Sequence, residues 1–213
     1  MGSLILVRHA ITAASAAGRN LGQRSDLPLS DAGFALAREL GRTLAAELVE
    51  LPHDEMQLLS SPALRCRQTA AAIAAALELD QGEIQIEAGL IEIDYGAWDG
   101  LSSDECRERD PELRAAWEAD PYTTRCPEGE SGQDVAARAF AALAPAEEWL
   151  AADRARYVIA VAHNHVNRLR LCQLLGWPMR EYRERLVQDP GAYNVITMGG
   201  GTPVVRRINA PGS

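Results

Sequence analysis

The sequence lacks long apolar runs and an excess of basic residues, and both absences exclude classes of protein. None of its apolar runs approaches the stretch of about 20 residues that a membrane-spanning helix requires. Its 21 basic residues are outnumbered by 30 acidic ones, so the formal net charge is -9. That balance argues against a nucleic-acid binder and against binding to an anionic membrane surface. A local arginine cluster can still hold a phosphorylated small molecule despite the negative average.

Cysteine is scarce, and the spacings of the four residues match neither a CxxC pair nor a zinc-binding pattern. Cys66 and Cys172 lie in stretches with apolar periodicity and are predicted to be small buried core residues. The apolar run after Ser3 is too short for a signal peptide and has no basic leader. We therefore expect a reducing compartment, namely the cytoplasm.

Short apolar strands alternate with amphipathic helices along the 213 residues. Strands are predicted over residues 4–7, 56–59 and 157–162, and a closing hairpin over 195–198 and 204–208 with a glycine turn at 199–201. Helices are predicted over about 30–50, 61–77, 131–152 and 166–175. This order predicts a three-layer α/β/α fold with a mostly parallel central sheet. We expect a single domain over residues 1–213, with a helical insertion at about 101–127.

Three of the predicted strands run directly into residues that can bind an anion. Arg8 and His9 follow the first strand, Ser61 and Arg65 follow the second, and His163 follows the third. In parallel α/β sheets, functional side chains gather at the carboxyl edge of the strands. Helices also begin there, and their free N–H groups favour negative charge, as do the forked donors of the arginines. Two histidines are too few ligands for a zinc site, so we interpret this edge as an anion site that suits phosphate.

Six motifs, in this order, resemble those of the histidine phosphatase superfamily, which has the phosphoglycerate mutase-like fold. VRHAIT at 7–12 is similar to the Arg-His-Gly motif of that family, and DLPLS at 26–30 matches a further landmark. SSPALRCRQT at 60–69 resembles its second motif, and Glu92 in IEIDYGAWDG at 91–100 matches its acidic residue. PEGES at 127–131 and VAHN at 161–164 resemble the remaining two motifs. The resemblance extends from residue 4 to about residue 176.

The resemblance implies a metal-independent phosphatase that needs no cofactor. His9 would be the nucleophile and would form a phosphohistidine. Arg8, Arg65 and His163 would bind the phosphoryl oxygens. Glu92 would protonate the leaving alcohol and then help to activate water.

The substrate would be a small phosphorylated molecule, and further residues are expected to contact it. Thr12, Asn164 and His165 are expected to line its binding site. We expect Asn164 or His165 to contact the alcohol portion, while an alternative makes His165 a partly exposed residue in the first turn of a helix. The sequence leaves open whether the protein is a homodimer.

Four positions depart from the family pattern, and all of them concern the pocket wall more than the nucleophile. Ala10 stands where glycine is usual, which is tolerated if its φ is negative. Ile11 replaces a residue that is often acidic. Asn164 and His165 stand where glycines are common. The substrate therefore stays open among sugar phosphates, phosphorylated carboxylic acids and nucleotide-like phosphates.

Two other functions are left open by the motifs. Phosphoglycerate mutases usually carry an adjacent arginine pair in the insertion, whereas the arginines here are scattered at positions 107, 109, 114 and 125. An inactive binding protein would typically have lost the nucleophile or an arginine, and both kinds of residue are present. Hydrolysis is therefore favoured. The arginines outside the motifs are interpreted as solvated charges, of which one or two could reach a second anionic group: Arg19, Arg24, Arg114 and Arg125.

Overall fold

The computed structural model describes residues 2–48, 55–152, 156–198 and 202–212. The strands within these ranges are β1 (Ser3–Arg8), β2 (Met56–Ser60), β3 (Ile84–Ile86), β4 (Tyr157–Ala162), β5 (Tyr193–Thr197) and β6 (Val204–Ala210). They form one six-stranded sheet in the order β3-β2-β4-β1-β5-β6. The pairs β3–β2, β2–β4 and β4–β1 are parallel, and β5 and β6 close the sheet as antiparallel strands. The predicted α/β fold with a mostly parallel sheet is confirmed.

Helices connect the strands and cover both faces of the sheet. Those in the described ranges are α1 (Ala13–Ala16), α2 (Asp31–Leu48), α3 (Leu64–Ala76), α4 (Ser103–Arg109), α5 (Pro111–Ala119), α6 (Gly132–Ala152), α7 (Asn164–Leu174) and α8 (Tyr182–Arg185). The helices α4 and α5 lie within the segment 101–127 that was predicted to be a helical insertion.

The two faces of β1 explain why the fold has three layers. Successive side chains of a strand point to opposite faces. Leu4 and Leu6 accordingly belong to the core that includes Val135 of α6, whereas Ile5 and Val7 belong to the core that includes Leu40 of α2. All four β1 residues are at most 2% exposed, so the strand is buried on both faces, as a near-continuous apolar run predicts.

The register of the parallel strands brings their carboxyl ends level with one another. Arg8 of β1 pairs with Ala162 of β4, and Ser60 of β2 pairs with Val161. Beyond these pairs, the His9 N–H donates to the Ala162 carbonyl (3.0 Å). The residues that follow β1, β2 and β4 therefore meet at one edge of the sheet.

Two differences from the predicted elements have a physical reason. The helix α3 begins at Leu64 rather than at Ser61, and its N-cap residue Ala63 has no capping side chain. The Ser61 hydroxyl is instead within hydrogen-bond distance of His163 Nε2 (2.8 Å), so a side chain predicted to cap a helix contacts the site. The strand β5 begins at Tyr193, earlier than predicted, and continues the ladder with β1. The predicted glycine turn at 199–201 and the predicted last residues of the first long helix, 49 and 50, lie outside the described residues.

No helix in the described part of the chain has both the length and the apolar character that crossing a membrane requires.

At Gly96, the segment that carries Glu92 packs closely against the end of the insertion. Its φ is +57°, and a Cβ built there would lie 1.9 Å from the Pro127 carbonyl oxygen. Gly176 has a similar φ of +66°, but nothing lies within 4 Å of its Cβ position. The two glycines thus share a backbone conformation and differ in the space around them.

We expect Gly96→Ala to destabilise the protein more than its matched control, Gly176→Ala. The control should cost about 1–2 kcal/mol, because only the left-handed backbone is strained. Gly96→Ala should cost a further 1–3 kcal/mol or so, because the backbone of residues 127–129 must move. Urea unfolding of both variants measures the difference, and equal losses of stability would show that this contact does not constrain the Glu92 segment.

Candidate active site

A cavity of about 190 Å³ opens where β1 and β4 end. Arg8, His9, Asn164 and His165 line it from the strand ends, and Ser15 and residues 18–21 line it from the long loop. Glu92, Tyr95 and Arg183 complete the wall. The sequence contains no lysine, so the basic side chains here other than histidine are arginines, which hold their charge at any physiological pH.

His9 is held as a neutral imidazole with one nitrogen free. Its Nδ1 lies 2.8 Å from the Ala10 carbonyl oxygen, and because a carbonyl can only accept, Nδ1 carries the proton. Nε2 is then unprotonated. Burial lowers the pKa of His9 well below its usual value, and the charges of Arg65 and Arg8 lower it further. Ala10 has no positive φ, so the alanine is accommodated there without left-handed strain.

His163 and Arg65 are fully buried and do not line the cavity themselves. The rings of His163 and His9 meet edge to face, with their centroids 5.2 Å apart. Arg65 Nη2 donates to the Gly22 carbonyl (3.0 Å), and its charge is a cause of the lowered pKa of both histidines. A Cβ at Gly22 would lie 2.6 Å from the Ile93 carbonyl oxygen, so only glycine allows this close approach of the loop. The structure therefore brings Arg65 and His163 together with His9. Both side chains lie behind the His9 ring rather than in the cavity wall.

Arg8 is half-buried in the wall of the cavity. Its Nη1 donates to the Gln188 carbonyl, whereas its Nε is buried without a partner. Burial lowers its pKa, while the negative charge of Glu92 acts in the opposite direction. A guanidinium anchored at one nitrogen and open at another is suited to binding an oxyanion.

Glu92 is the one acidic side chain in the wall of this cavity among the residues described. Its Oε1 accepts from the Ile93 N–H (2.9 Å), and its Oε2 lies 3.4 Å from the His165 N–H. Burial raises the pKa of this carboxyl group, although these hydrogen bonds and the nearby arginines counteract the shift. A buried carboxyl group with a raised pKa can hold a proton and release it to a leaving group.

Arg138 of α6 fixes the backbone that carries Glu92. Its Nη2 donates to the Glu92 carbonyl (2.9 Å) and to the carboxylate of Glu130 (2.8 Å). Its Nη1 donates to the carbonyls of Gly89 (2.8 Å) and Ile91 (2.5 Å). Since Glu92 lies in an irregular segment, these contacts replace the support that a strand or helix would give.

His165 joins two tyrosines at the wall of the cavity. Its Nε2 is 2.7 Å from the Tyr95 hydroxyl, and its Nδ1 is 2.6 Å from the Tyr182 hydroxyl. The residue is 1% exposed, which differs from the alternative that placed it partly in solvent. Both ring nitrogens are already engaged, so its expected contact with substrate stays a prediction that this arrangement does not favour.

Asn164 and Thr12 differ in their access to the cavity. Asn164 lines it, and the side-chain oxygen of Asn164 is buried without a hydrogen-bond partner. Thr12 is fully buried, and its Oγ1 accepts from the Ser15 N–H (3.1 Å) as the cap of α1. Ser15, rather than Thr12, is part of the wall. The position of Asn164 is therefore compatible with its predicted contact with the substrate, whereas the burial of Thr12 does not favour the contact predicted for that residue.

Two side chains of the site, and one outside its wall, were missed or misinterpreted at the level of sequence. Arg183 of α8 lines the cavity, although its charged segment resembles a solvated helix. Tyr95 lines it as well, inside a motif from which only Glu92 was singled out. Arg114, interpreted as a solvated charge, is 2% exposed, because it packs on Trp117 (4.5 Å to the ring centroid) and pairs with Glu118 (2.8 Å).

The described residues contain neither a disulfide nor a cluster of metal-binding side chains. All four cysteines are buried and free, which confirms the prediction for Cys66 and Cys172. Within residues 2–48, 55–152, 156–198 and 202–212, no group of three or more His, Cys, Asp or Glu side chains is arranged to hold a metal ion.

Comparison with known proteins identifies what this chain is similar to. The family model of the histidine phosphatase superfamily (branch 1) matches residues 4–211. Phosphoserine phosphatase 1 of Hydrogenobacter thermophilus is 32% identical over 98% of this chain and 92% of its own length. An acid phosphatase of Mycobacterium tuberculosis is 32% identical over 84% of this chain and 78% of its own length. Relatives at 31% identity are named 2,3-bisphosphoglycerate-dependent phosphoglycerate mutases. The solved structure of Bacillus stearothermophilus YhfR superposes with a TM-score of 0.84 at 25% identity, covering 99% of this chain and 98% of that one.

The three buried histidines predict a loss of stability in mild acid. Burial is the largest cause of the lowered pKa of His9, His163 and His165, so the unfolded chain binds more protons than the folded chain below about pH 6.5. Each histidine should remove up to about 1.4 kcal/mol of unfolding free energy per pH unit below that value. Glu92 has the opposite sign, because its folded pKa is raised.

Urea unfolding between pH 7.5 and 5.5 measures this slope, above the range in which the surface carboxylates titrate. His163→Gln removes one of the three groups, so it should reduce the slope by about one third, whatever its effect on stability at pH 7.5. A stability that is constant across this range would mean that the histidines bind protons equally in the folded and unfolded chains, so that burial does not lower their pKa.

Proposed function

This chain belongs to the histidine phosphatase superfamily, and we propose that it hydrolyses a small phosphomonoester through a phosphohistidine on His9. Relatives named as phosphatases support phosphatase activity on a small phosphorylated metabolite. The observation that carries the finer proposal is the hydrogen bond from His9 Nδ1 to the Ala10 carbonyl, which leaves Nε2 as an unprotonated nucleophile.

The first step transfers the phosphoryl group to the protein. The lone pair of His9 Nε2 attacks phosphorus, the bond from phosphorus to the ester oxygen breaks, and the leaving alcohol takes a proton from Glu92. The raised pKa of Glu92 supports this role, because the carboxyl group is more often protonated before the step. A phosphohistidine and a Glu92 carboxylate result.

The second step returns the protein to its first state. A water molecule gives a proton to the Glu92 carboxylate and attacks phosphorus, the bond from phosphorus to Nε2 breaks, and inorganic phosphate leaves. Arg8 and Arg65 supply positive charge for the phosphoryl oxygens in both steps, and the charge of the fully buried Arg65 is little screened by water. His163 supports the ring of His9 through their edge-to-face contact, and its proposed contact with phosphate requires the cavity to extend to it.

A phosphoglycerate mutase is the second candidate. Relatives with that name support it, and the absence of an adjacent arginine pair between residues 101 and 127 argues against it. With 3-phosphoglycerate as the substrate, we propose release of phosphate or no reaction. Interconversion with the 2-phosphate isomer without release of phosphate would favour the mutase.

We expect His9→Ala to reduce hydrolysis of p-nitrophenyl phosphate by at least about 1,000-fold, because no other side chain in the cavity offers a free imidazole nitrogen. The assay follows free phosphate and nitrophenol for the wild type and the variant. His53→Ala is a control that removes a histidine outside the described residues and should retain activity. Turnover by His9→Ala at the rate of the wild type would falsify the assignment of the nucleophile.

We also expect the activity to be independent of metal ions, since the positive charge at the proposed phosphate site comes from arginines. Dialysis against a chelator should leave the rate of phosphate release unchanged, and vanadate should inhibit by mimicking five-coordinate phosphorus. If chelation abolished activity and zinc or magnesium restored it, His9 and His163 would have to be reconsidered as metal ligands.

A further inference from the structure

The cavity holds more fixed positive charge than one phosphate group requires. Arg8 in the cavity wall and Arg65, which is buried beside His9, are the arginines assigned to the phosphoryl group. Arg183 lines the cavity, and the charge of Arg168 of α7 lowers the pKa of His165 in the same wall. No ion pair joins Arg168 or Arg183 to a carboxylate among the described residues, in contrast to Arg114, which pairs with Glu118.

Arg183 is positioned by its neighbours rather than by a counter-ion. The Tyr182 hydroxyl contacts His165 Nδ1 (2.6 Å), which fixes the start of α8 against the cavity wall. The Arg183 guanidinium carbon lies 4.3 Å from the centroid of the Trp117 ring. Stacking on an aromatic ring orients the plane of a guanidinium but leaves its N–H groups available at the edge. Arg183 Nε is in fact buried without a hydrogen-bond partner.

Arg168, like Arg183, has no hydrogen-bond partner for its guanidinium among the described residues. Its Nε is also buried without a partner, and neither guanidinium donates a hydrogen bond to any other residue in the part of the chain described. Burial lowers the pKa of Arg168 to about 10, and the positive charges of Arg183 and Arg8 contribute to the shift. Three guanidiniums therefore repel one another around this cavity, and a bound anion would relieve the repulsion.

A phosphate dianion at His9 cannot account for all of this charge. Arg8 and Arg65 balance its two negative charges, and Glu92 must be protonated when it acts as an acid. Arg168 and Arg183 then remain as two unbalanced positive charges. Both residues are partly buried, with Nε buried and unpartnered, and such unpaired groups are costly unless a ligand binds to them.

We propose that Arg183, supported by Arg168, forms a second anion subsite in the catalytic cavity, and that the substrate is a phosphomonoester with a second anionic group on its alcohol portion. The inference rests on the proposed phosphatase function. The second group is a carboxylate or a further phosphate, both of which suit the forked donors of arginine. The unpartnered side-chain oxygen of Asn164, in the same wall, is available to accept from a hydroxyl or amine of that substrate.

The test compares phosphomonoesters that differ in the second charge. The carboxylate pairs are 3-phosphoglycerate with glycerol 3-phosphate, and phosphoglycolate with 2-hydroxyethyl phosphate. The phosphate pair is propane-1,3-diol bisphosphate with 3-hydroxypropyl phosphate. For the wild type, kcat/KM should favour the doubly anionic member of at least one pair by about tenfold or more, as expected for a charge-assisted hydrogen bond. The pair that shows the preference identifies the second group as carboxylate or phosphate.

Variants then locate the preference. Arg183→Met keeps the length of the side chain on Trp117 and should reduce the ratio within the preferred pair by about tenfold, to near unity. Arg183→Lys keeps the charge without the fork and should give an intermediate ratio. Arg180→Met is the matched control, because Arg180 lies in the same segment with a 67% exposed side chain that faces Glu181 (3.8 Å), and it should keep the wild-type ratio.

The outcomes separate this inference from the function on which it rests. If the wild type hydrolyses p-nitrophenyl phosphate but shows no preference above about twofold in any pair, the subsite is wrong and the phosphatase stands. A preference that Arg183→Met leaves unchanged, or that Arg180→Met removes equally, likewise overturns the subsite. If the wild type hydrolyses no ester at all, the proposed phosphatase function fails, and the subsite fails with it.

Discussion

The hydrogen bond between His9 Nδ1 and the Ala10 carbonyl determines what the rest of the site can do. It fixes the tautomer of an imidazole that burial and two arginines already keep neutral. If the proton lay on Nε2 instead, the same residues would surround a nitrogen that cannot attack phosphorus. The surrounding arginines therefore favour attack on phosphorus in two ways. They attract an oxyanion, and they oppose protonation of the nucleophile.

The scaffold maintains this arrangement with contacts that lie outside the cavity. Register between β1 and β4 places His9 beside His163, and the Arg138 contacts hold the segment that carries Glu92. The net charge of -9 belongs mainly to the surface, whereas the buried site is rich in arginine. A protein can therefore be acidic on average and still concentrate positive charge where an anion is bound.

The parts of the fold and site that follow buried strands could be predicted from sequence. Arg8, His9 and His163 come directly after short apolar runs, so the position of a strand also gives the position of the side chain. Glu92 has no such local signal, and it was identified through the motif around it. Ser61 shows the limit of local rules, since a serine before a proline suggests a helix cap, but a distant histidine takes its hydroxyl.

Residues whose role depends on distant partners could not be predicted in this way. Arg183 and Arg114 lie in charged stretches that look solvated, and each stacks on the Trp117 ring, which the sequence alone does not place near them. His165 follows the same principle, because its burial depends on two tyrosines that are 70 and 17 residues away along the chain. Long-range packing, rather than local propensity, decides the charge balance of the cavity.

The central claim is that the His9 imidazole is neutral with its proton on Nδ1, and nitrogen NMR measures this protonation state directly. Protein labelled with ¹⁵N at histidine is recorded at pH 6.5 with correlations between the ring protons and ring nitrogens, and the His9→Gln spectrum assigns the His9 signals. We predict a protonated Nδ1 and an unprotonated Nε2 in the absence of substrate. Two protonated nitrogens at this pH, or a single proton on Nε2, would contradict it.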